Sequence, residues 1–170
     1  MEGKKALLII ANKDFQDEEY QVTREVLESE GIEVKTASSA GNVSEGSMGT
    51  KVSTDYSFSR VITDDFDAVI FIGGMGAEEY SSDDAAIQIA RDAHEMGKVV
   101  GGICIAPVIL ANAGLLTEKR ATVAPAGEST LKAKKAFCSG KDVESTDRVV
   151  TANGPRAAEK FAREIVKKIS

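Results

Sequence analysis

The stretch Gly102-Ile103-Cys104-Ile105-Ala106 places a thiol where an apolar run meets a proline. Lys98-Val99-Val100-Gly101-Gly102 reads as a short buried strand, and Pro107-Val108-Ile109-Leu110-Ala111-Asn112-Ala113 as the helix after it. A residue on such a corner is forced toward a strained backbone conformation. Small neighbours two before it and two after it let the chain turn that sharply. With serine at its centre, the same device is a nucleophile elbow. The sulfur is expected to point out of the sheet at a helix start, where amide N–H groups and the helix dipole favour a thiolate. Cys104 is therefore the candidate nucleophile. Cys138, in Lys135-Ala136-Phe137-Cys138-Ser139-Gly140, has no such corner and reads as a structural or surface thiol on a strand or edge.

Glu19 is the candidate partner of Cys104. It closes the acidic run Asp14-Phe15-Gln16-Asp17-Glu18-Glu19. Acidic residues in a first helical turn complement the dipole, and Asp14, Asp17 and Glu18 are read as doing no more. Glu19 is expected beside the Cys104 corner, where a carboxyl next to a thiolate has a raised pKa because like charges repel. A protonated Glu19 donates a hydrogen bond to the sulfur and later supplies a proton. Gly73-Gly74 ends another apolar run, and glycine allows close backbone approach. The Gly74 and Ile105 amides, with Gly73 beside them, are candidates to face an oxyanion formed at Cys104. Gly74-Met75-Gly76 is no dinucleotide fingerprint, since Glu79 stands at the third glycine position. His94 is the single histidine. It falls near the end of the helix before the elbow strand and reads as a capping or surface residue, at the far end of that strand from Cys104.

These candidates must be positioned by the elements around them. Ala6-Leu7-Leu8-Ile9-Ile10-Ala11 and Ala68-Val69-Ile70-Phe71-Ile72 are continuous apolar runs, as in strands covered on both faces. Ile32-Glu33-Val34-Lys35-Thr36-Ala37 alternates as a strand. Between them lies a helix carrying Val22, Val26 and Leu27, closed by Gly31. Residues 38–59 are rich in Ser, Gly and Thr and read as turns with a short hairpin around Lys51-Val52-Ser53. A helix with Ala86, Ile87, Ile89, Ala90 and Ala93 ends at Gly97. Ala121-Thr122-Val123 and Arg148-Val149-Val150-Thr151 read as late strands. A final helix starts near Pro155 and carries Ala158, Phe161, Ala162, Ile165 and Ile169 on one face. Such alternation predicts an α/β fold, a mostly parallel sheet with helices on both faces, whose sites lie at the carboxyl ends of the strands. Glu19, Gly73-Gly74 and Cys104 all fall at such ends.

Composition narrows the function classes. A chain of 170 residues reads as one domain spanning residues 1–170. A net charge of -6 argues against nucleic acid or an anionic membrane as the main partner. No apolar run approaches the ~20 residues needed to span a bilayer, and no signal peptide is read at the start, so a cytoplasmic protein is expected. Two cysteines and one histidine give no disulfide framework and no zinc spacing, and no metal or cofactor is expected.

Taken together, Phe15-Gln16-Asp17-Glu18-Glu19, Ile72-Gly73-Gly74, Gly102-Ile103-Cys104-Ile105-Ala106-Pro107, Ala113-Gly114-Leu115-Leu116 and Asn153-Gly154-Pro155 form a specific pattern. With the apolar first strand, they make the chain resemble the PfpI family over essentially its whole length. That family includes intracellular cysteine proteases and relatives of a parkinsonism-associated protein deglycase. The resemblance implies a flavodoxin-like three-layer sandwich, a nucleophilic Cys104 held by Glu19, and a homodimer or higher homo-oligomer. The chain departs from the family's pattern at its histidines. Ile105 follows the cysteine where protease-like members carry a histidine, and Ala124 precedes Pro125 where deglycase-like members carry one. Ala152-Asn153 replaces the family's Ser-Arg before Gly-Pro. Loss of a base costs peptide hydrolysis ~10²–10⁴-fold. The resemblance therefore implies a stress protein acting on small reactive carbonyls or their adducts on proteins, in the manner of a glyoxalase or deglycase. A cysteine redox sensor comes second, since an exposed, ionised thiol oxidises readily. A cysteine peptidase or amidase is the disfavoured alternative.

Overall fold

The computed structural model describes residues 1–170. The chain opens on β1 (Lys5–Ile9) and β2 (Lys13–Phe15), then α1 (Asp17–Ser29) and β3 (Glu33–Ser38). A hairpin of β4 (Val43–Gly46) and β5 (Lys51–Ser53) precedes the short β6 (Tyr56–Ser57). Then come β7 (Ala68–Phe71), α2 (Asp84–Glu95), β8 (Val99–Ile103) and α3 (Pro107–Asn112). The last third holds β9 (Arg120–Ala121), α4 (Glu128–Ala133), β10 (Phe137–Cys138), β11 (Val143–Thr146), β12 (Val149–Ala152) and α5 (Ala158–Ile169).

Seven strands form the central sheet in the order β11-β12-β8-β7-β1-β3-β6. All neighbours run parallel except the edge strand β11, which is antiparallel to β12. Both faces are covered, so the strands read as unbroken apolar runs and their side chains divide by parity. Leu7, Ile9, Val69, Phe71 and Val100 face the layer that includes α2 and α3. Ala6, Leu8, Ala68, Ile70, Val99 and Ile103 face α1 and α5. From α5, Phe161 and Ile165 are fully buried against that second face, each worth ~1.5–3 kcal/mol in removed apolar surface. The result is the expected three-layer α/β sandwich.

The chain leaves β1 toward β3 on one side and later returns as β7 on the other. Two adjacent parallel strands whose continuations diverge leave a crevice at their carboxyl ends. Local signals fix the ends of the helices that border it. The Asp83 side chain accepts the Ala86 N–H at 2.9 Å and caps α2, while Gly97 (φ 74°) supplies the left-handed turn after it. Pro107 stands in the first turn of α3, where its missing N–H costs nothing.

The sequence reading differs from the structure in the less regular segments. The strand expected over Ala121-Thr122-Val123 is only Arg120–Ala121 and pairs with β10 in a separate small sheet. The chain turns away there because the Ala124 N–H donates to the Cys104 carbonyl at 2.8 Å. Helix α4 and strands β2, β6 and β11 lie in stretches too short or too polar to show a period. The stretch after Gly74 is a 3-10 helix over Met75–Ser82 rather than a plain turn. The Tyr80 hydroxyl locks it down by donating to the Ile10 carbonyl at 2.9 Å and accepting the Ser39 N–H at 3.0 Å.

Candidate active site

Cys104 follows the last residue of β8 with φ 65°, in the left-handed region that L-residues other than Asn and Asp rarely enter. A backbone held there must be over-determined by its surroundings. The Cys104 N–H donates to the Ala152 carbonyl at 2.9 Å, and its carbonyl accepts the Ala124 N–H. The residue is thus pinned from β12 on one side and from the loop before Pro125 on the other. The elbow read from the sequence is present, and the thiol is half-buried.

Glu19 lies in the first turn of α1 and is 0% exposed. Its Oε1 accepts the Gly73 N–H at 3.0 Å. Its Oε2 is sealed from solvent without a hydrogen-bond partner, and Gly73 packs against both this carboxyl and Cys104. Burial raises the carboxyl from its ordinary 4.5 to about 7, against the pull of the Gly73 amide and the thiol. Gln16 sets this acid in place. Its side chain accepts the Glu19 N–H at 2.9 Å as the α1 cap, and its own N–H donates to the Gly73 carbonyl at 2.9 Å.

The glycine pair explains how three elements come so close. A Cβ on Gly73 would lie 2.5 Å from the Cys104 Cβ and 2.7 Å from Glu19 Oε1. Gly74 has φ 110°, and a Cβ there would lie 2.5 Å from the Gln16 nitrogen. Only glycine fits at either position. One expectation is corrected here. The Gly73 amide, offered from sequence as part of an oxyanion hole, is committed to Glu19, so Gly73 positions the acid. The Gly74 and Ile105 amides are the ones that pull the Cys104 thiol toward ionisation.

A second correction concerns ionisation. The sequence suggests a thiolate favoured by the helix dipole, but α3 has six residues. Burial dominates and pushes the Cys104 thiol up to about 11, with the charge on Glu19 adding to it and the Gly74 and Ile105 amides opposing. The pair therefore loses its first proton from Glu19 and keeps the second on sulfur through the neutral range. Above about pH 7 the charge therefore sits on the carboxylate, and the sulfur rather than Glu19 holds the remaining proton.

A cavity of about 350 Å³ opens over the sulfur, with Gln16, Met48, Met75, Ile105, Ala124 and Ala126 among its lining residues. Met48 comes from the β4–β5 turn. Asp17 holds that turn by accepting the Met48 N–H at 2.8 Å and the Thr50 N–H at 3.0 Å. This carboxylate does more than complement a dipole, contrary to the sequence reading. Gln16, Met48 and Met75 escaped that reading because nothing about an isolated glutamine or methionine marks it; their significance is long-range. His94 lies in the last turn of α2, before β8, whereas Cys104 follows β8. Cys138 lies in β10, half-buried, with Sγ 4.0 Å from the Glu128 carbonyl.

A strand-to-helix cysteine beside a buried acid, at the carboxyl edge of a parallel flavodoxin-like sheet, defines a class of cysteine-centred α/β sandwich proteins. Residues 4–168 match the DJ-1/PfpI family, and the chain belongs to it. An uncharacterised protein of Methanocaldococcus jannaschii is 37% identical over 99% of this chain and 84% of its own length. A deglycase of Pyrococcus abyssi is 36% identical over 70% of this chain and 72% of its own. A glutathione-independent glyoxalase of Caenorhabditis elegans is 29% identical over 96% and 87%. The crystal structure of a ThiJ/PfpI domain protein from Brachyspira murdochii superposes with a TM-score of 0.96 at 32% identity, covering 99% of this chain and 98% of that one. No helix is long and apolar enough to cross a membrane.

Proposed function

We propose that the protein is a glyoxalase- or deglycase-type stress enzyme in which Cys104 attacks small reactive carbonyls, or their adducts on proteins, with Glu19 moving the proton. The observation that carries this reading is the buried carboxyl of Glu19 beside a thiol on a left-handed corner. In the first step the Cys104 sulfur bonds to the aldehyde carbon as the carbonyl π pair moves to oxygen. Glu19 accepts the thiol proton and returns it to that oxygen, giving a hemithioacetal with charge and protons conserved. The Gly74 and Ile105 amides stabilise the oxyanion while it lasts. Names borne by the Pyrococcus and Caenorhabditis relatives, deglycase and glyoxalase, support the same chemistry.

Peptide cleavage needs a proton for a poor leaving amine. Ile105 and Ala124 line the cavity where the family's histidines are expected, so the peptidase reading lacks its acid. A cytoplasmic location and a homodimer or higher homo-oligomer complete the proposal, supported by the family resemblance. The test is methylglyoxal consumption by purified protein. Cys104→Ala should abolish it and Glu19→Gln should lower it at least ~10²-fold; equal rates in the wild type and Cys104→Ala refute the reading.

A further inference from the structure

We propose that the Cys104 cleft is an anion-excluding site, taking neutral carbonyls and adducts on cationic groups such as lysine-bearing peptides while rejecting carboxylated or phosphorylated carbonyls. The assignment of a carbonyl substrate rests on the reading above; the charge selectivity rests on the cavity itself. Two of its lining residues, Asp17 and Glu78, are acidic, and none is Lys, Arg or His. Glu19, outside the lining, lies buried against Gly73 beside Cys104. Asp17 stays charged near neutral pH. Burial opposes its ionisation, but hydrogen bonds from Thr50 and from the Met48 amide outweigh it. Glu78 projects from the 3-10 helix at the rim and is exposed.

The remainder of the lining is uncharged, with Gln16 and Ser47 beside a mostly apolar set. Met48 and Met75 are 85% and 81% exposed on two different elements, and both line the cleft above the sulfur. Flexible, polarisable thioethers suit a rim that must accommodate varied apolar groups. An incoming carboxylate or phosphate therefore meets like charge with no cationic side chain in the lining to compensate. A neutral aldehyde meets no such barrier, and an ammonium-bearing partner gains attraction from Glu78 at the rim.

Charge selectivity can be read without turnover by modifying Cys104 in a Cys138→Ser background. The probes are two methanethiosulfonates, one carrying a trimethylammonium-ethyl group and one a sulfonatoethyl group. The ratio of cationic to anionic rates should exceed that for 2-mercaptoethanol in the same buffer by at least ~10-fold, equivalent to about 1.4 kcal/mol. Added salt and Glu78→Lys should each narrow it. A ratio equal to that of the free thiol overturns the proposal. A second arm compares methylglyoxal with glyoxylate, each rate taken relative to its reaction with free thiol, and Glu78→Lys should favour glyoxylate. If consumption proves independent of Cys104 while the labelling ratio stands, the carbonyl reading falls and the selectivity of the cleft remains.

Discussion

Glu19→Gln should make the protein more resistant to alkali, because the buried acid is a stability cost above neutral pH. The folded state raises the Glu19 carboxyl from 4.5 to about 7. The sign follows from proton binding. Below about pH 4.5 both folded and unfolded chains hold the proton. Between 4.5 and 7 the unfolded chain loses it first, so native stability falls as pH rises. Above about 7 the loss is complete. At about 1.4 kcal/mol per pH unit, the full cost is about 3 kcal/mol, a large part of the ~5–15 kcal/mol that holds a domain together. Glutamine keeps an acceptor for the Gly73 N–H and has no charge to desolvate. The assay is urea unfolding of the wild type and Glu19→Gln under reducing conditions from pH 4.5 to 8. The stability of the wild type minus that of the variant should fall by about 3 kcal/mol across this range. A difference that stays flat, or rises with pH, refutes the claim that burial holds this carboxyl protonated.

Two further predictions concern the thiol. Iodoacetamide modification of Cys104 should show a pH midpoint above the ~8.5 of an ordinary thiol, and Glu19→Gln should lower that midpoint by removing a neighbouring negative charge; peptide-resolved mass spectrometry of the alkylated protein reads both. Cys104→Gly should be about 1 kcal/mol more stable than Cys104→Ala in thermal or denaturant unfolding, since both lose the sulfur but only glycine adopts φ 65° without steric cost.

Much of the fold was legible because its strands are buried on both faces. Ala68-Val69-Ile70-Phe71-Ile72 cannot be a half-solvated strand, and the helix closed by Gly97 carries a clear apolar face. The polar stretch over residues 38–59 was harder to read. The β4–β5 hairpin there is held in part by a carboxylate from α1, and no local period announces that. Cys104 was legible because a sharp corner needs small residues on either side, a purely local requirement. Glu19 was singled out by where the topology must carry the start of α1.

The linear order of residues determined the alternation of strands and helices, the corner at Cys104 and the glycines that let the backbones approach. The protonation of the site was decided by tertiary structure alone. A helix start seen in isolation favours a thiolate, but desolvation depends on everything packed around a group. Here β7, β8 and α1 enclose a carboxyl and a thiol together, so burial and mutual repulsion outweigh the local amides and keep a proton on sulfur.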